Sequence, residues 1–322
     1  MQLGRRAALG GLVAAVADGV RAAEWPQKNV VWIVPFPAGG PTDVFARPVA
    51  ANASATLGQT IVIDNRAGAG GTIGAAQAAR APADGYTMLV ANTPHTYAPA
   101  IYPQAGFDLA RDFAPIGALA RSPSALVVNP AKLDVTSLAQ FIDVAKRKPG
   151  SIEMGSPGLG TVPHLAIALL QGRTGIEVHH VPYRGGAPAL QDLLAGQIMA
   201  TFGSVSTLVP YVNAGKLRAL AVAGRRREPL LSNVPTFDEA GLKDFRAASW
   251  FGLFAPKRTP VPILDRVHAA VQAALGRDEI KRVWVEQAAK VELESRADFG
   301  RFVEQETVRW NRIAKAANIQ LE

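Results

Sequence analysis

Two segments of this 322-residue chain place small and hydroxylated residues where a helix begins, and both suit an anion. Pro35-Phe-Pro-Ala-Gly-Gly-Pro-Thr-Asp43 follows the β-branched run Val30-Val-Trp-Ile-Val34 directly. Gly39 and Gly40 let backbone approach a ligand closely. Pro41 suits a first helical turn, and Thr42 or Asp43 can cap it. A helix start at the carboxyl end of a strand offers aligned N–H donors and about half a positive charge. Gly155-Ser-Pro-Gly-Leu-Gly-Thr-Val-Pro-His164 follows Ile152-Glu-Met154 and opens another helical pattern. There the Ser156 and Thr161 hydroxyls, with nearby backbone N–H groups, could take a carboxylate. Either segment alone also reads as an ordinary strand-to-helix turn. Two of them, one in each half of a molecule, would face each other across a cleft.

Other chemistries fit less well. Asn65-Arg-Ala-Gly-Ala-Gly-Gly-Thr-Ile-Gly74 invites a dinucleotide reading, but G-x-G-x-x-G needs a glycine where Ile73 stands. The acidic residue due about 20 positions later is also missing, since Asp84 comes too early. His179 and His180 are adjacent on a predicted strand, so they point to opposite faces and cannot easily share one metal ion. His95, His164 and His268 show no ligand spacing, so no metal or other cofactor is expected. Neither Ser156 nor Ser204 sits in a G-x-S-x-G elbow. Arg184 lies in a glycine-flanked turn and could pair with an acid, of the ligand or of the protein itself. Cations are scattered except for Arg225-Arg226-Arg227, which reads as a solvated loop rather than a nucleic-acid surface.

The elements that must position these turns alternate. Strand patterns at Val30–Val34, Thr60–Ile63 and Tyr86–Val90 are separated by helical spacing from Val44 to Leu57 and from Ile73 to Arg80. The theme repeats with strands at Leu126–Val128, Ile152–Met154, Ile176–Val181, Ile198–Phe202 and Leu217–Val222. Helices over Pro163–Gln171, Ala187–Ala195 and Val205–Ala214 lie between them. Such alternation predicts an α/β protein with parallel βαβ units. A Pro/Gly-rich stretch spans 224–246, and Trp250-Phe-Gly-Leu-Phe254 gives a last strand. The helical patterns Val261–Leu275 and Arg296–Ala317 need a surface to cover, and the first lobe's sheet is the candidate. That makes the first lobe discontinuous, 24–121 plus 251–322, with a second lobe at 122–250. Two chain crossings between lobes give a hinge.

The N-terminus differs in kind. Arg5 and Arg6, an apolar stretch from Ala7 to Val16 and small residues ending at Ala22-Ala23 read as a signal peptide over 1–23. The arginine pair also allows a twin-arginine route. Removing this segment lowers the formal charge from +8 to +6, as three arginines and one aspartate leave with it. That balance mildly favours anionic ligands. The absence of cysteine excludes disulfides, a thiol nucleophile and thiolate metal sites.

The ordered set of motifs resembles one family, the solute-binding receptors of tripartite tricarboxylate transporters, or Bug-type receptors. To the segments quoted above it adds Ala83-Asp-Gly-Tyr-Thr87, His180-Val-Pro-Tyr-Arg-Gly-Gly186, Gly215-Lys-Leu-Arg-Ala-Leu-Ala221, Val234-Pro-Thr236, Glu239-Ala-Gly241 and Trp250-Phe-Gly-Leu-Phe-Ala-Pro256. The resemblance implies a type II periplasmic-binding-protein fold, two βα lobes with a hinge and an interlobe cleft. It implies a periplasmic, non-catalytic, monomeric receptor that closes on a small organic carboxylate and meets membrane permease subunits. Carried over by position, Phe36, Ala38, Gly39, Thr42 and Asp43 form the first-lobe wall, and Ser156, Gly158, Gly160 and Thr161 the opposing wall. Tyr183, Gly185 and Ala187 close the floor, and Asn92, Thr93 and His95 touch the variable end of the ligand. Phe202-Gly203-Ser204 departs from the family's usual Asp or Asn after Phe. A smaller pair there is expected to leave room for a bulkier or less polar ligand end. Two rival classes are an α/β enzyme acting on a small anionic substrate and a cytosolic ligand-sensing domain of a regulator.

Overall fold

The computed structural model describes residues 25–290, 293–317 and 321, so the signal-peptide reading for 1–23 lies outside the described residues. β1 (Val30–Val34) is apolar throughout, as a strand covered on both faces requires. It lies between β2 (Ile61–Asn65) and β3 (Thr87–Asn92), parallel to both. α1 (Pro41–Leu57) connects β1 to β2, and α2 (Thr72–Ala79) leads on to β3. Gly58 ends α1 in the left-handed region at φ 73°, its N–H returning to Ser54 O. Two short helices, α3 (Ala98–Ile101) and α4 (Leu109–Asp112), precede β4 (Phe113–Ser122), which lies at the edge of this first sheet opposite β2.

Pro123 alone separates β4 from β5 (Ser124–Val128), which belongs to a second sheet. That sheet continues through α5 (Leu138–Arg147), β6 (Glu153–Ser156), α6 (Val162–Thr174), β7 (His179–Pro182), α7 (Gly186–Ala195), β8 (Ala200–Ser204), α8 (Val205–Asn213) and β9 (Arg218–Val222). β10 (Ser249–Pro256) then returns to the first sheet, and α9 (Val261–Leu275), α10 (Asp278–Glu286) and α11 (Arg296–Ala316) follow. The sheet orders are β2-β1-β3-β10-β4 and β7-β6-β8-β5-β9. In each sheet four strands run one way and one, β10 or β5, runs against them. The strand beside each parallel trio, β10 or β5, is the one that has just crossed from the other sheet.

Alternation along the strands splits each core in two. Trp32 faces α1 and α9 with Phe45, Val49 and Val267, while Ile33 faces Leu89, Trp250, Phe254 and Phe299. Leu126 joins Leu165, Phe202, Phe237 and Phe245, while Val127 joins Leu193 and Leu208. The tail corrects one expectation. Phe299 and Val303 of α11 cover the first sheet, but Trp310, Ile313 and Ala314 pack with Tyr97, Ile101 and Leu165 in the second sheet's core. A helix of 21 residues runs about 30 Å, and along that length α11 packs on the cores of both sheets. Among the described residues no helix is long and apolar enough to cross a membrane.

Candidate functional site

Both anion-suited turns lie at carboxyl ends of parallel strands, where open α/β sheets take their ligands. After β1, the chain turns through Gly39 at φ 76° and starts α1 at Gly40 with no side chain capping it. Asp43 holds that turn from below. Its carboxylate accepts from the Gly39 N–H at 3.0 Å, from Arg47 Nε and Nη2 at 3.1 and 2.6 Å, and from Asn65 Nδ2 at 3.0 Å. Asn65, at the end of β2, also donates to the Phe36 carbonyl at 3.1 Å. Burial pushes the Asp43 carboxyl up, but Arg47 and the hydrogen bonds from Gly39 and Asn65 outweigh it and leave the pKa below the ordinary range. With Asp43 only 4% exposed, its charge is used internally. Ala38 and Gly39 remain exposed at the tip of the turn.

The end of β3 closes this wall. Asn92 Nδ2 donates to Thr42 Oγ1 at 3.2 Å, and the Asn92 and His95 side chains cap each other across the turn Thr93–Thr96. His95 is buried against Phe36 and Phe107, with ring centroids 5.8 Å away in both cases. Burial drives its pKa down to about 4 against the opposing pull of the Asn92 and Gly71 backbones, so the ring is neutral. Gly71 has to be glycine: at φ 97° a Cβ would come within 2.9 Å of the Phe36 ring and 3.1 Å of His95 Nε2. Thr93 is fully buried, its hydroxyl accepting from the Trp250 N–H at 2.9 Å. Phe36, Thr42, Asp43, Asn92 and His95 are thus brought together around this turn, and Thr93 ties them to β10.

The second turn is built by different residues to the same plan. Ser156, at the end of β6, has no exposed surface. Its Oγ accepts from the Gly158 N–H at 3.2 Å and lies 2.7 Å from His180 Nε2 on the neighbouring β7. The Gly160 N–H donates to His164 Nδ1 at 3.1 Å, and Thr161 Oγ1 donates to the Gly158 carbonyl at 2.7 Å. α6 then starts at Thr161 with no side-chain cap. His164 and His180 stack with centroids 4.2 Å apart and planes 9° from parallel. Burial and the neighbouring His180 lower the His164 pKa to about 4, and burial with His179 lowers that of His180. The sequence treats these histidines as unrelated. The signal that joins them is topological, because a helix between adjacent parallel strands starts above the carboxyl end of the first.

The residues expected to form a floor lie beside this turn. Tyr183 N–H donates to the Ser156 carbonyl at 2.9 Å and Gly185 N–H to the Pro157 carbonyl at 3.0 Å. The Tyr183 hydroxyl donates to Asp192 at 2.7 Å, and burial with that carboxylate pushes the phenol up to about 12. Ala187 is exposed in the first turn of α7, and Arg184 is exposed with no ion pair among the described residues. Phe202 lies elsewhere: it is 1% exposed and stacks with Phe237 and Phe245 in the second core. Beside Gly203, a Cβ would meet the Leu208 side chain at 3.0 Å. Ser204 sits by the crossing, its Oγ 2.9 Å from Ser206 Oγ and 3.5 Å from Ser122 Oγ. One contact missed by sequence joins the two sides: Tyr97, two residues past His95, donates to the Gly160 carbonyl at 2.9 Å.

Two five-stranded α/β lobes joined by a double crossing define a type II periplasmic-binding-protein fold. A family model for the tripartite tricarboxylate transporter family receptor matches residues 45–319, and the chain belongs to that family. Protein BugT of Bordetella pertussis is 33% identical over 311 residues, covering 96% of this chain and 95% of that protein. Among solved structures, Rpa4515 of R. palustris with adipate is 40% identical at a TM-score of 0.79, covering 92% of this chain and 99% of that one. MatC of Rhodopseudomonas palustris with bound malate is 33% identical at a TM-score of 0.77, covering 90% and 99%. The family's receptors are periplasmic solute-binding proteins that bind small carboxylates and work with tripartite transporters.

Proposed function

We propose that this chain is an exported, monomeric receptor that captures a small organic carboxylate by hinge closure and presents it to permease subunits of a tripartite transporter. By chain path lobe 1 comprises 24–121 plus 251–322, with the end of α11 reaching across onto lobe 2, and lobe 2 comprises 122–250, with residues 1–23 as the export signal. The observation that carries this reading is the pair of uncapped helix starts, α1 and α6, each behind a glycine turn held from beside. A buried carboxylate is stable only where several donors meet it, and such starts supply them without a compensating cation. Adipate and malate in the related structures support a diacid as the class to try first. The ligand closes the lobes because it makes contacts in the closed state that the open state lacks.

Capture, rather than turnover, is the activity assigned. The Ser156–His180 contact of 2.7 Å is what an enzyme reading would build on. The hydroxyl is buried and already shared with Gly158, however, so it serves the turn. A thermal-shift screen of mature protein against mono- and dicarboxylic acids tests the reading. A ligand at about 100 times its Kd adds about 2.7 kcal/mol of stability and raises the Tm in a concentration-dependent way. A panel including adipate and malate that leaves the Tm unmoved, or a bound acid recovered as a new compound, refutes it.

A further inference from the structure

The first-lobe turn is fixed by an acid, an amide and an arginine. Among the described residues the second-lobe turn has no ion pair in that place and uses two histidines instead. His180 reaches the turn from β7 and His164 from the first turn of α6. His180 meets Ser156 Oγ, and through that oxygen the Gly158 N–H, at 2.7 and 3.2 Å. His164 takes the Gly160 N–H on Nδ1 at 3.1 Å. The two rings lie face to face at 4.2 Å and 9°, so neither can turn without displacing the other. Gly158 and Gly160 both have positive φ, 138° and 70°, where glycine backbone has many competing conformations. A loop so free needs outside contacts to keep one arrangement of its amides.

We propose that His164 and His180 act as one stacked positioning unit that sets the pose of the Gly158–Thr161 turn for an arriving carboxylate, His180 through Ser156 and His164 through the Gly160 amide. This rests on the receptor reading above. Neither histidine touches the ligand; each acts through the backbone it holds. The pairing also explains a neutral unit at this place. A cation under the turn would grip an anion too, but it would pay the desolvation of a buried charge whenever the site is empty. Neutral rings fix the amides at no such penalty.

The test uses the full mature protein and four variants, His164→Ala, His164→Asn, His180→Ala and His180→Gln. Asn and Gln return an acceptor near Nδ1 and a polar group near Nε2, respectively. Amide hydrogen exchange at Gly158 and Gly160 is read without ligand, and Kd is read for adipate, for malate and for any acid found by thermal shift. H164A is expected to speed exchange at Gly160, and H180A at Gly158, by roughly 5- to 30-fold, the range for one lost hydrogen bond. Both alanine variants weaken acid binding by a similar factor, and H164N and H180Q restore most of it. Unchanged exchange at both glycines overturns the inference whatever the protein binds. Faster exchange with unchanged Kd also overturns it, because the histidines then only stabilise the lobe. A wild-type protein that binds no acid overturns the receptor reading, and this inference falls with it.

Discussion

Asp43 puts a carboxylate beneath a turn proposed to receive another carboxylate. The arrangement works because Arg47 forks onto it while Gly39 and Asn65 occupy its remaining lone pairs. Its charge is spent on the shape of the turn. Asp43→Asn keeps the size but loses the ion pair and presents an NH2 to a donor, so we expect a stability loss of about 1–3 kcal/mol in urea unfolding at pH 7. The folded carboxyl titrates below its ordinary value, so its stabilisation is complete above that value and disappears as pH falls through the folded pKa. Wild type and D43N should therefore draw together as pH falls below the ordinary carboxylate range. A gap that stays undiminished through acid titration would show that the ion pair is not the cause. His95 acts in the same direction at higher pH. Its pKa falls from 6.5 to about 4 on folding, so from pH 6.5 downward the unfolded chain takes a proton that the native ring refuses. Stability should fall by up to about 3 kcal/mol between pH 6.5 and 4, and His95→Asn should flatten that part of the curve. An unaltered slope in H95N would assign the decline to the other histidines.

The two lobes repeat one device at the level of elements: the strand beside each anion turn sends a polar side chain back to fix it. Asn65 on β2 does this for the turn after β1, and His180 on β7 does it for the turn after β6. Sequence made the turns legible because Gly, Pro and hydroxyl residues cluster at strand ends, and it made the helices legible through their spacing. It did not reveal β4. Phe113–Ser122 contains Pro115, Gly117 and three alanines, a composition with little strand preference, and it forms a strand because β10 pairs along its length. The same pairing decided α11. Gly252 in β10 is a notch for the Phe299 ring, since a Cβ there would lie 2.3 Å from Phe299 Cζ. No local signal marks that contact, which joins residues 47 positions apart in different elements. Gly252→Ala should push α11 off the sheet and cost about 1–3 kcal/mol, the usual range for overpacking. Phe299→Leu in the same chain should recover part of the loss, as read by Tm. If G252A melts like wild type, the fit of α11 on the first sheet is looser than these distances require.

At the scale of the whole molecule, the proposed hinge closure is limited by what already joins the lobes. Pro123 carries one crossing and the segment entering β10 the other, with Ser249 paired to Ser122. Beside the hinge, Lys290 bridges to the Arg121 backbone and pairs at 2.9 Å with Glu228, which is buried. Farther along the chain, Tyr97, Ile101 and Trp310 share a core with Leu165, and Gly160 packs so closely on Ile101 and Leu321 that a Cβ would come within 2.8 Å of either. Tyr97 is fully buried there, and burial of its phenol raises the pKa beyond any working pH, so the hydroxyl always donates to Gly160. Contacts of this kind belong to a packed core, which has discrete arrangements and does not slide. The lobes should then rotate about this contact and the hinge together, and the contact should persist whether the cleft is open or shut. Tyr97→Phe tests the point, because it removes one hydrogen bond and leaves the Gly160 carbonyl unsatisfied. Stability should fall by about 1–3 kcal/mol, while the affinity for an acid found by thermal shift and the ligand-induced fall in the scattering radius stay as in wild type. If Y97F instead weakened binding tenfold with its melting temperature unchanged, the bond would form only on closing, and the axis of the motion would have to lie elsewhere.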